Sequence, residues 1–464
     1  MNPKKVLIIG GGISGLSLAA KLAQKKVPFL LLEKEDRLGG QIRTVKEKGY
    51  TFEVGPNTGS VSNPEVTELF EYLEPLTRLE EADPAANNRW IWKGDRFHLL
   101  PSGPISGLTT PLFAFPDKFR ILLEPFRPKG NDPLESVGSL AQRRLGKSFV
   151  EYAVDPFVGG IYAGDPYKLT TQYALPKLYN LEQNYGSFIG GSMKLMKQKK
   201  SGRDKKATKK VFSAEGGLEN LVNALVTKLQ GAGTMVKGVS SISLDYHEAY
   251  EWNVKYTDQN GASHEDRVSH VVSTVRSDQL KDVLPSEMHA SLAPIMKLRY
   301  APMIEISVGF DHLPQIRANA FGGLVPSREK RKVLGILFPS SCFRGRTPFD
   351  DSRLFTLFMG GLRNSTEFEG LSREEITQIG LHELYDMMKI DPSIKPDMIH
   401  FTSYARAIPQ YDATSGERLE RIAELEKSYP GLYLAGGIRD GIGLAHRIRQ
   451  GTLIGADIAE SFSD

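Results

Sequence analysis

Four consecutive apolar residues, Val6-Leu7-Ile8-Ile9, are apolar on both faces of an extended chain, which predicts a buried parallel strand. The run leads into Gly10-Gly11-Gly12-Ile13-Ser14-Gly15, then a helical stretch from Leu16 to about Lys25, then a second apolar run, Phe29 to Leu32, ending in Glu33. Strand, glycine turn, helix, strand and acid in this order predict a dinucleotide-binding βαβ unit. Gly10 is expected to permit the tight turn, Gly12 to let a pyrophosphate approach the backbone, and Gly15 to let the helix pack on the strand. The phosphates would sit on the helix N-terminus, and Glu33 would accept hydrogen bonds from the adenosine ribose.

The pattern changes several times downstream. Proline turns at Pro101, Pro104, Pro111 and Pro116 precede helical patterns from Phe119 to Phe126 and Leu134 to Leu145. Residues 89–207 therefore read as a mostly helical insert after a first nucleotide-binding segment, 1–88. A second such segment, 208–290, carries a helix from Glu219 to Leu229 and strand patterns over Met235 to Leu244, Trp252 to Tyr256 and Val268 to Val272. Between 291 and 424, alternating runs at Glu305 to Phe310, Gly322 to Val325, Val333 to Phe338 and Leu354 to Met359 predict an antiparallel sheet flanked by helices, the floor of a substrate cavity. Residues 425–464 return a strand, a glycine turn at Gly441-Ile442-Gly443-Leu444 and a helix from about His446 to Ser461, a second backbone nest. The fold class is mixed α/β.

With 464 residues the chain can form two or three domains. Its formal charge of +4 is too small to argue for nucleic acid. A single cysteine, Cys342, excludes an intrachain disulfide and a cysteine-rich metal site, and no metal is expected. Met1 to Lys5 run straight into the first strand, leaving no room for a cleaved signal peptide. A cytoplasmic protein is expected, with peripheral contact to the inner face of the cell membrane as an added reading. Two segments bear on that reading. Lys194, Lys197, Lys199, Lys200, Arg203, Lys205, Lys206, Lys209 and Lys210 form a basic stretch, either a solvated loop or a tether to anionic lipid. Leu108, Leu112, Phe113 and Phe115 would cover a substrate mouth, enter a membrane, or pack in the core.

Leu38-Gly39-Gly40 shifts the cofactor choice from nicotinamide toward FAD, being similar to the segment that follows the pyrophosphate in glutathione-reductase and amine-oxidase type flavoproteins. Asp155 to Pro166 (Asp-Pro-Phe-Val-Gly-Gly-Ile-Tyr-Ala-Gly-Asp-Pro) is a more specific signal. Gln142 to Gly146, Glu53 to Asn57, Val333 to Gly335, Phe358 to Gly361 and Ile408 to Tyr411 support it. On these residues the chain resembles, nearly end to end, the oxygen-dependent protoporphyrinogen oxidases and flavin-type coproporphyrinogen oxidases of the FAD amine-oxidase superfamily.

The resemblance implies a Rossmann-like FAD-binding domain, an antiparallel-sheet substrate domain and the helical insert. It implies FAD contacts from Gly10, Gly11, Gly12, Ile13, Ser14, Gly15, Glu33, Lys34, Gly40, Gln41, Gly55, Pro56, Asn57, Thr58, Val239 and Tyr404, and from the backbone of Ile442, Gly443 and Leu444. Arg89 matches the arginine that pairs with a substrate propionate. Leu324 and Leu337 match the aliphatic clasp on one pyrrole, and Phe358 matches the aromatic stacked on another. Gly160 falls where a carbonyl faces the macrocycle, and Asn57 where a polar side chain approaches flavin and substrate. The implied reaction is oxidation of protoporphyrinogen IX to protoporphyrin IX with three O2 reduced to H2O2; coproporphyrinogen III is the alternative substrate, and a homodimer the implied assembly. Another amine-oxidase-type activity and a non-turning-over flavin or porphyrin carrier are the remaining readings. Two positions depart from the pattern: Ala445-His446-Arg447-Ile448 stands where the family commonly has Asn-Asp-Cys-Ile, and Gln41 where some members have an aromatic.

Overall fold

Val6–Ile9 is a strand with all four residues buried, paired in parallel with Phe29–Leu32 on one side and His270–Ser273 on the other. The computed structural model describes residues 5–199, 201–248, 250–316 and 318–462. Thr234–Val236 and Leu432–Leu434 complete a five-stranded parallel sheet whose outer strands come from distant parts of the chain. Val6, Leu7 and Ile8 are fully buried, each contributing about 1.5–3 kcal/mol of apolar burial. The first helix, Ile13–Gln24, lies against the last, Leu444–Ser461. Their approach is close because a Cβ on Gly451 would stand 2.2 Å from the Ser14 carbonyl oxygen.

The expected strand from Met235 to Leu244 is broken instead at Gly238, whose φ is +66°. Its first part joins the parallel sheet, while Ser241–Glu248 opens a separate three-stranded antiparallel sheet with Glu251–Thr257 and Ser263–Val268. The break matters for the site. Amide bonds from Gly238 to the Glu35 carbonyl and from Val239 to the Glu33 carbonyl seat Val239 beside the end of the second strand.

A seven-stranded sheet forms the other half, in the order Met398–Pro409, Tyr300–Phe310, Arg353–Gly360, Val333–Leu337, Gly322–Leu324, Arg89–Lys93 and Arg96–Leu99. The last two strands lie within the stretch read as helical insert. They form a hairpin at Gly94, φ +68°, and Arg89–Lys93 runs parallel to Gly322–Leu324. One sheet face is closed: Ile306, Val308, Ile336, Phe355 and Leu357 share a core with Ile376, Leu384 and Met387 of the helix Arg373–Met388. That helix starts at a capping box in which Ser372 Oγ accepts from the Glu375 amide at 3.2 Å and Glu375 accepts from the Ser372 amide at 2.7 Å.

The helices of the insert gather around Arg144, which is fully buried and donates to Glu124 at 2.7 Å and Glu182 at 2.6 Å. The Gln142 to Gly146 segment thus has a structural task. In the helix Phe115–Leu122, which begins four residues before the expected Phe119, a short 3-10 turn at Glu124–Phe126 follows. Three of the nine basic residues in the stretch are tied down by acids. Arg203 pairs with Glu65 and Glu68, Lys206 with Glu71 and Lys210 with Glu81, strapping the segment to the helix Pro64–Leu73 and the strand Leu79–Glu81. Lys200 lies outside the described residues.

Candidate active site

Gly10, Gly12 and Gly15 occupy three distinct environments. Gly10 has φ +105°, and a Cβ there would stand 2.5 Å from Thr274 Oγ1. A Cβ on Gly15 would stand 2.1 Å from the Gly10 carbonyl oxygen, so helix and turn meet backbone to backbone. At Gly12 a Cβ would meet nothing within 4 Å. This open cradle lies at the start of a helix with no side-chain cap and no acid in its first turn, leaving its first N–H groups for a phosphate. Ile13 and Ser14 are buried in that first turn. Glu33 turns toward the cradle and accepts the Gly11 amide at 2.6 Å, while Lys34 is exposed.

Leu38-Gly39-Gly40 lies along the glycine turn: the Gly39 amide donates to the Gly11 carbonyl at 2.8 Å, and the Cβ position of Gly40 is 3.2 Å from Gly12 Cα. Arg37 braces this stretch by donating to the Gly40 and Ile42 carbonyls at 2.7 and 2.5 Å. The chain returns at Gly55, φ +110°, whose Cβ position is 2.4 Å from the Gln41 carbonyl oxygen and 3.5 Å from the Tyr404 hydroxyl. Gln41, Gly55 and Tyr404 therefore converge, with Pro56, Asn57 and Thr58 half-buried after them. Glu53, just before, is a clamp: it accepts from Arg346 at 3.1 Å, Thr44 at 2.6 Å and the Leu218 amide at 2.9 Å.

Side chains opposite one another in a sheet share a face. Two adjacent rows on the face away from the helix Arg373–Met388 collect the remaining candidates. One runs Thr402, Glu305, Phe358, Gly335, Leu324, Ile91; the next runs His400, Ser307, Thr356, Leu337, Gly322, Arg89. Leu324 and Phe358 are half-buried, Leu337 is buried, and Arg89 is exposed with its guanidinium carbon 5.8 Å from the Phe321 ring centre. Gly160 comes from outside the sheet, on the helix Asp155–Tyr162, and a Cβ there would stand 2.4 Å from Leu324 Cδ2. Phe157 and Ile161 of this helix are 41% and 42% exposed, so its outer side is open.

The helix is held by acids that bracket the Asp155 to Pro166 segment. Asp155 pairs with Arg363 and accepts the Ser327 amide at 2.7 Å, and Asp165 accepts from Arg363 at 3.0 Å. Arg363 follows the strand carrying Phe358, so the clamp registers Gly160 against both Leu324 and Phe358. A cavity of about 310 Å3 lies behind the clamp, lined by Asp155, Gly159, Leu334, Arg363 and the run Lys330 to Lys332; it does not reach Arg89, Leu337 or Phe358.

At the C-terminal turn, Leu444–Ser461 is a second helix with neither a side-chain cap nor an acid in its first turn, and Gly443 is its N-cap. Arg447 turns back onto the protein. Its side chain is 12% exposed and reaches Asp440 and Gln450 at 3.3 Å each. His446 covers the turn, with its Cβ 2.5 Å from the Cβ position of Gly441; burial and the cations Lys177 and Arg447 push its imidazole below the usual histidine range. Cys342 is buried, and burial pushes its thiol up to about 12, as suits an inert residue.

Glu305 escapes the sequence reading. In Ile304 to Phe310 the apolar side chains alternate, so Glu305 reads as an outward polar position, yet it is 6% exposed. Its Oε2 accepts the Gly55 amide at 3.2 Å and Asn57 Nδ2 at 3.3 Å, while the same Asn57 nitrogen donates to the Gly55 carbonyl at 2.9 Å.

A phosphate cradle, a second uncapped helix and an open sheet face between them belong to one class of flavoprotein. The chain is a member of the flavin-containing amine oxidoreductase family, whose profile matches residues 13–440. It is an oxidoreductase with FAD as its cofactor. Within the family it is similar to protoporphyrinogen oxidases. The mitochondrial enzyme of Nicotiana tabacum is 30% identical over 97% of this chain and 94% of its own length, and the enzyme of Homo sapiens is 30% identical over 97% of each. A solved structure from Exiguobacterium sp. 255-15, provisionally described as a protoporphyrinogen oxidase, shares the fold with a TM-score of 0.79, covering 99% of this chain and 100% of its own at 23% identity.

Proposed function

We propose that this protein oxidises protoporphyrinogen IX to protoporphyrin IX, passing electrons to dioxygen and releasing hydrogen peroxide. The two-row sheet face is the observation that carries the reading: Leu324, Leu337 and Phe358 make an apolar wall, with Arg89 at its rim. A tetrapyrrole is a wide apolar disc with acidic edges, and this wall suits it. The guanidinium fork fits a propionate. Arg89 is the one lysine or arginine in the two rows, which favours the dicarboxylate protoporphyrinogen over the tetracarboxylate coproporphyrinogen.

When bound, FAD supplies a two-electron acceptor, so the six electrons leave in three rounds. The chain binds and orients. Gly10 to Gly15, Glu33 and Val239 would hold the adenosine diphosphate, Gln41, Gly55 to Thr58 and Tyr404 the middle of the cofactor, and Ile442 to Leu444 its far end through the backbone. Gly160 meets Leu324 and would border the macrocycle where the helix Asp155–Tyr162 reaches the wall. Anaerobic mixing with each porphyrinogen, followed at the flavin absorbance, tests the reading. Bleaching by protoporphyrinogen is expected, faster than by coproporphyrinogen. A flavin that stays oxidised with both refutes the reading, and faster bleaching by coproporphyrinogen reassigns the substrate.

The insert supports peripheral membrane contact. Ile105, Phe115, Phe126 and Met196 are 81%, 70%, 84% and 84% exposed, and the turn Glu124–Phe126 packs beside the helix Phe188–Met196 that ends in Met196. Leu112 and Phe113, by contrast, are buried in a cluster with Ile91 and Tyr152 that packs against Leu324. No helix among the described residues is long and apolar enough to cross a membrane. Apolar insertion from this face fits better than an electrostatic tether at 194–210, where Arg203, Lys206 and Lys210 are already paired.

A further inference from the structure

Among the described residues, no cation pairs with the buried carboxyl of Glu305. The groups acting on it are its own burial, the Gly55 amide, Asn57 and a second acid, Glu53. Glu53 is itself held by Arg346, and that arginine's other bond goes to Ser213. From the neighbouring strand Tyr404 faces the same space; its phenol is raised by burial and then by Glu305, against the lowering pull of Arg43 and Arg37. One row away His400 pairs with Glu47. Across the sheet Glu305 stands opposite Phe358 and Thr402. Among the described residues, a negative charge at this position rests on two hydrogen bonds from the Gly55 to Asn57 loop and on nothing else charged and favourable.

We propose that Glu305 takes up one proton when the flavin accepts two electrons and releases it when dioxygen removes them. The inference rests on FAD lying between the glycine turn and this sheet face. A second negative charge arriving near an uncompensated carboxylate favours its protonated form. Burial already raises the Glu305 carboxyl to about 7, so a modest added charge moves it across neutrality. In each round the macrocycle loses two electrons and two protons: one hydrogen leaves a bridging carbon as hydride, and a pyrrole N–H proton converts the Glu305 carboxylate to the acid. Dioxygen then takes the two electrons, the hydride's proton and the Glu305 proton, giving hydrogen peroxide and the carboxylate again.

The test is the pH dependence of the flavin midpoint potential in the FAD-loaded protein, titrated with dithionite and mediator dyes from about pH 5.5 to 9. Wild type is expected to take up two protons per electron pair through a window around neutrality and one above it. Glu305→Gln should show one throughout, and Glu305→Asp should restore the two-proton segment. A wild-type slope of one proton at every pH refutes the proposal, even if the Gln variant fails to hold FAD. An unchanged two-proton segment in Glu305→Gln also refutes it, assigning the extra proton to the flavin ring, whose reduced spectrum would then be that of the neutral form. Porphyrinogen takes no part in the titration. A protein that shows the slope yet leaves porphyrinogens untouched would overturn the substrate reading alone.

Discussion

Gly160→Ala isolates the contact between the Asp155–Tyr162 helix and the sheet. The added methyl would stand 2.4 Å from Leu324 Cδ2, so the leucine must retreat by about 1–1.5 Å to reach an ordinary carbon contact of roughly 3.5–4.0 Å. Two opposing effects bear on stability. Replacing a helix-interior glycine by alanine gains about 0.8–1 kcal/mol, and overpacking costs about 1–3 kcal/mol. The variant should therefore fold, with a net loss of about 0–2 kcal/mol. Catalysis is more exposed, because a wall displaced by about 1 Å costs up to about 100-fold in rate. We expect kcat/KM for porphyrinogen to fall about 10- to 100-fold with FAD content unchanged. Leu324→Ala removes the clashing atom, so adding Gly160→Ala to it should cost little more than Leu324→Ala alone. Steady-state kinetics on the four proteins, alongside thermal melts, complete the cycle. Fully additive penalties, or a folded Gly160→Ala enzyme with unaltered kcat/KM, would refute the argument.

Other perturbations probe the remaining parts. Arg89→Ala should raise KM roughly 10- to 100-fold, since a hydrogen bond to a charged group is worth about 1.5–3 kcal/mol, and should leave flavin absorbance intact; steady-state kinetics decide. In the FAD-free protein Glu305 makes stability pH-dependent. Its folded carboxyl titrates at about 7 against 4.5 for the reference group, so between those values the folded state holds a proton the unfolded chain has lost. Stability therefore falls as pH rises through this window, by about 3 kcal/mol in all. Thermal melts of Glu305→Gln should show a gain at pH 8 and none at pH 4. The double variant Phe115→Ser/Phe126→Ser should sediment less with neutral and anionic vesicles alike; equal sedimentation would remove this face from any membrane role.

Strands buried on both sides were the most legible. Val6–Ile9 and Phe29–Leu32 have the bounds expected of them, because a continuous apolar run admits few other readings. The helix Glu219–Leu229 was equally plain from its periodicity. Legibility fails where tertiary pairing decides. Arg89–Lys93 and Arg96–Leu99 surround a charged Gly94-Asp95 turn and join a sheet whose other strands lie beyond residue 300, so their partners are invisible locally. Met398–Pro409 is an edge strand with mixed exposure and lacks a clean alternation. For the site, the glycine turn and the apolar candidates could be named from their motifs. Glu305 could not, because alternation alone assigns its side to solvent and does not know that another half of the molecule covers it. The pairing of Asp155 and Asp165 with Arg363 spans about two hundred residues and leaves no local trace.

The order in which strands enter the two sheets bears on how the molecule comes into being. The outer strand of the nucleotide-binding sheet, Leu432–Leu434, and the helix that packs against Ile13–Gln24 are made after every strand of the seven-stranded sheet. On the ribosome the glycine turn emerges early but waits for both. The seven-stranded sheet has all its strands once Met398–Pro409 is made, whereas the nucleotide-binding sheet keeps an apolar strand edge unpaired until Leu432–Leu434 follows. Capture of the flavin is then a late event that locks together pieces far apart in sequence order. Apoprotein accumulating under flavin limitation should be the species most prone to chaperone binding and aggregation.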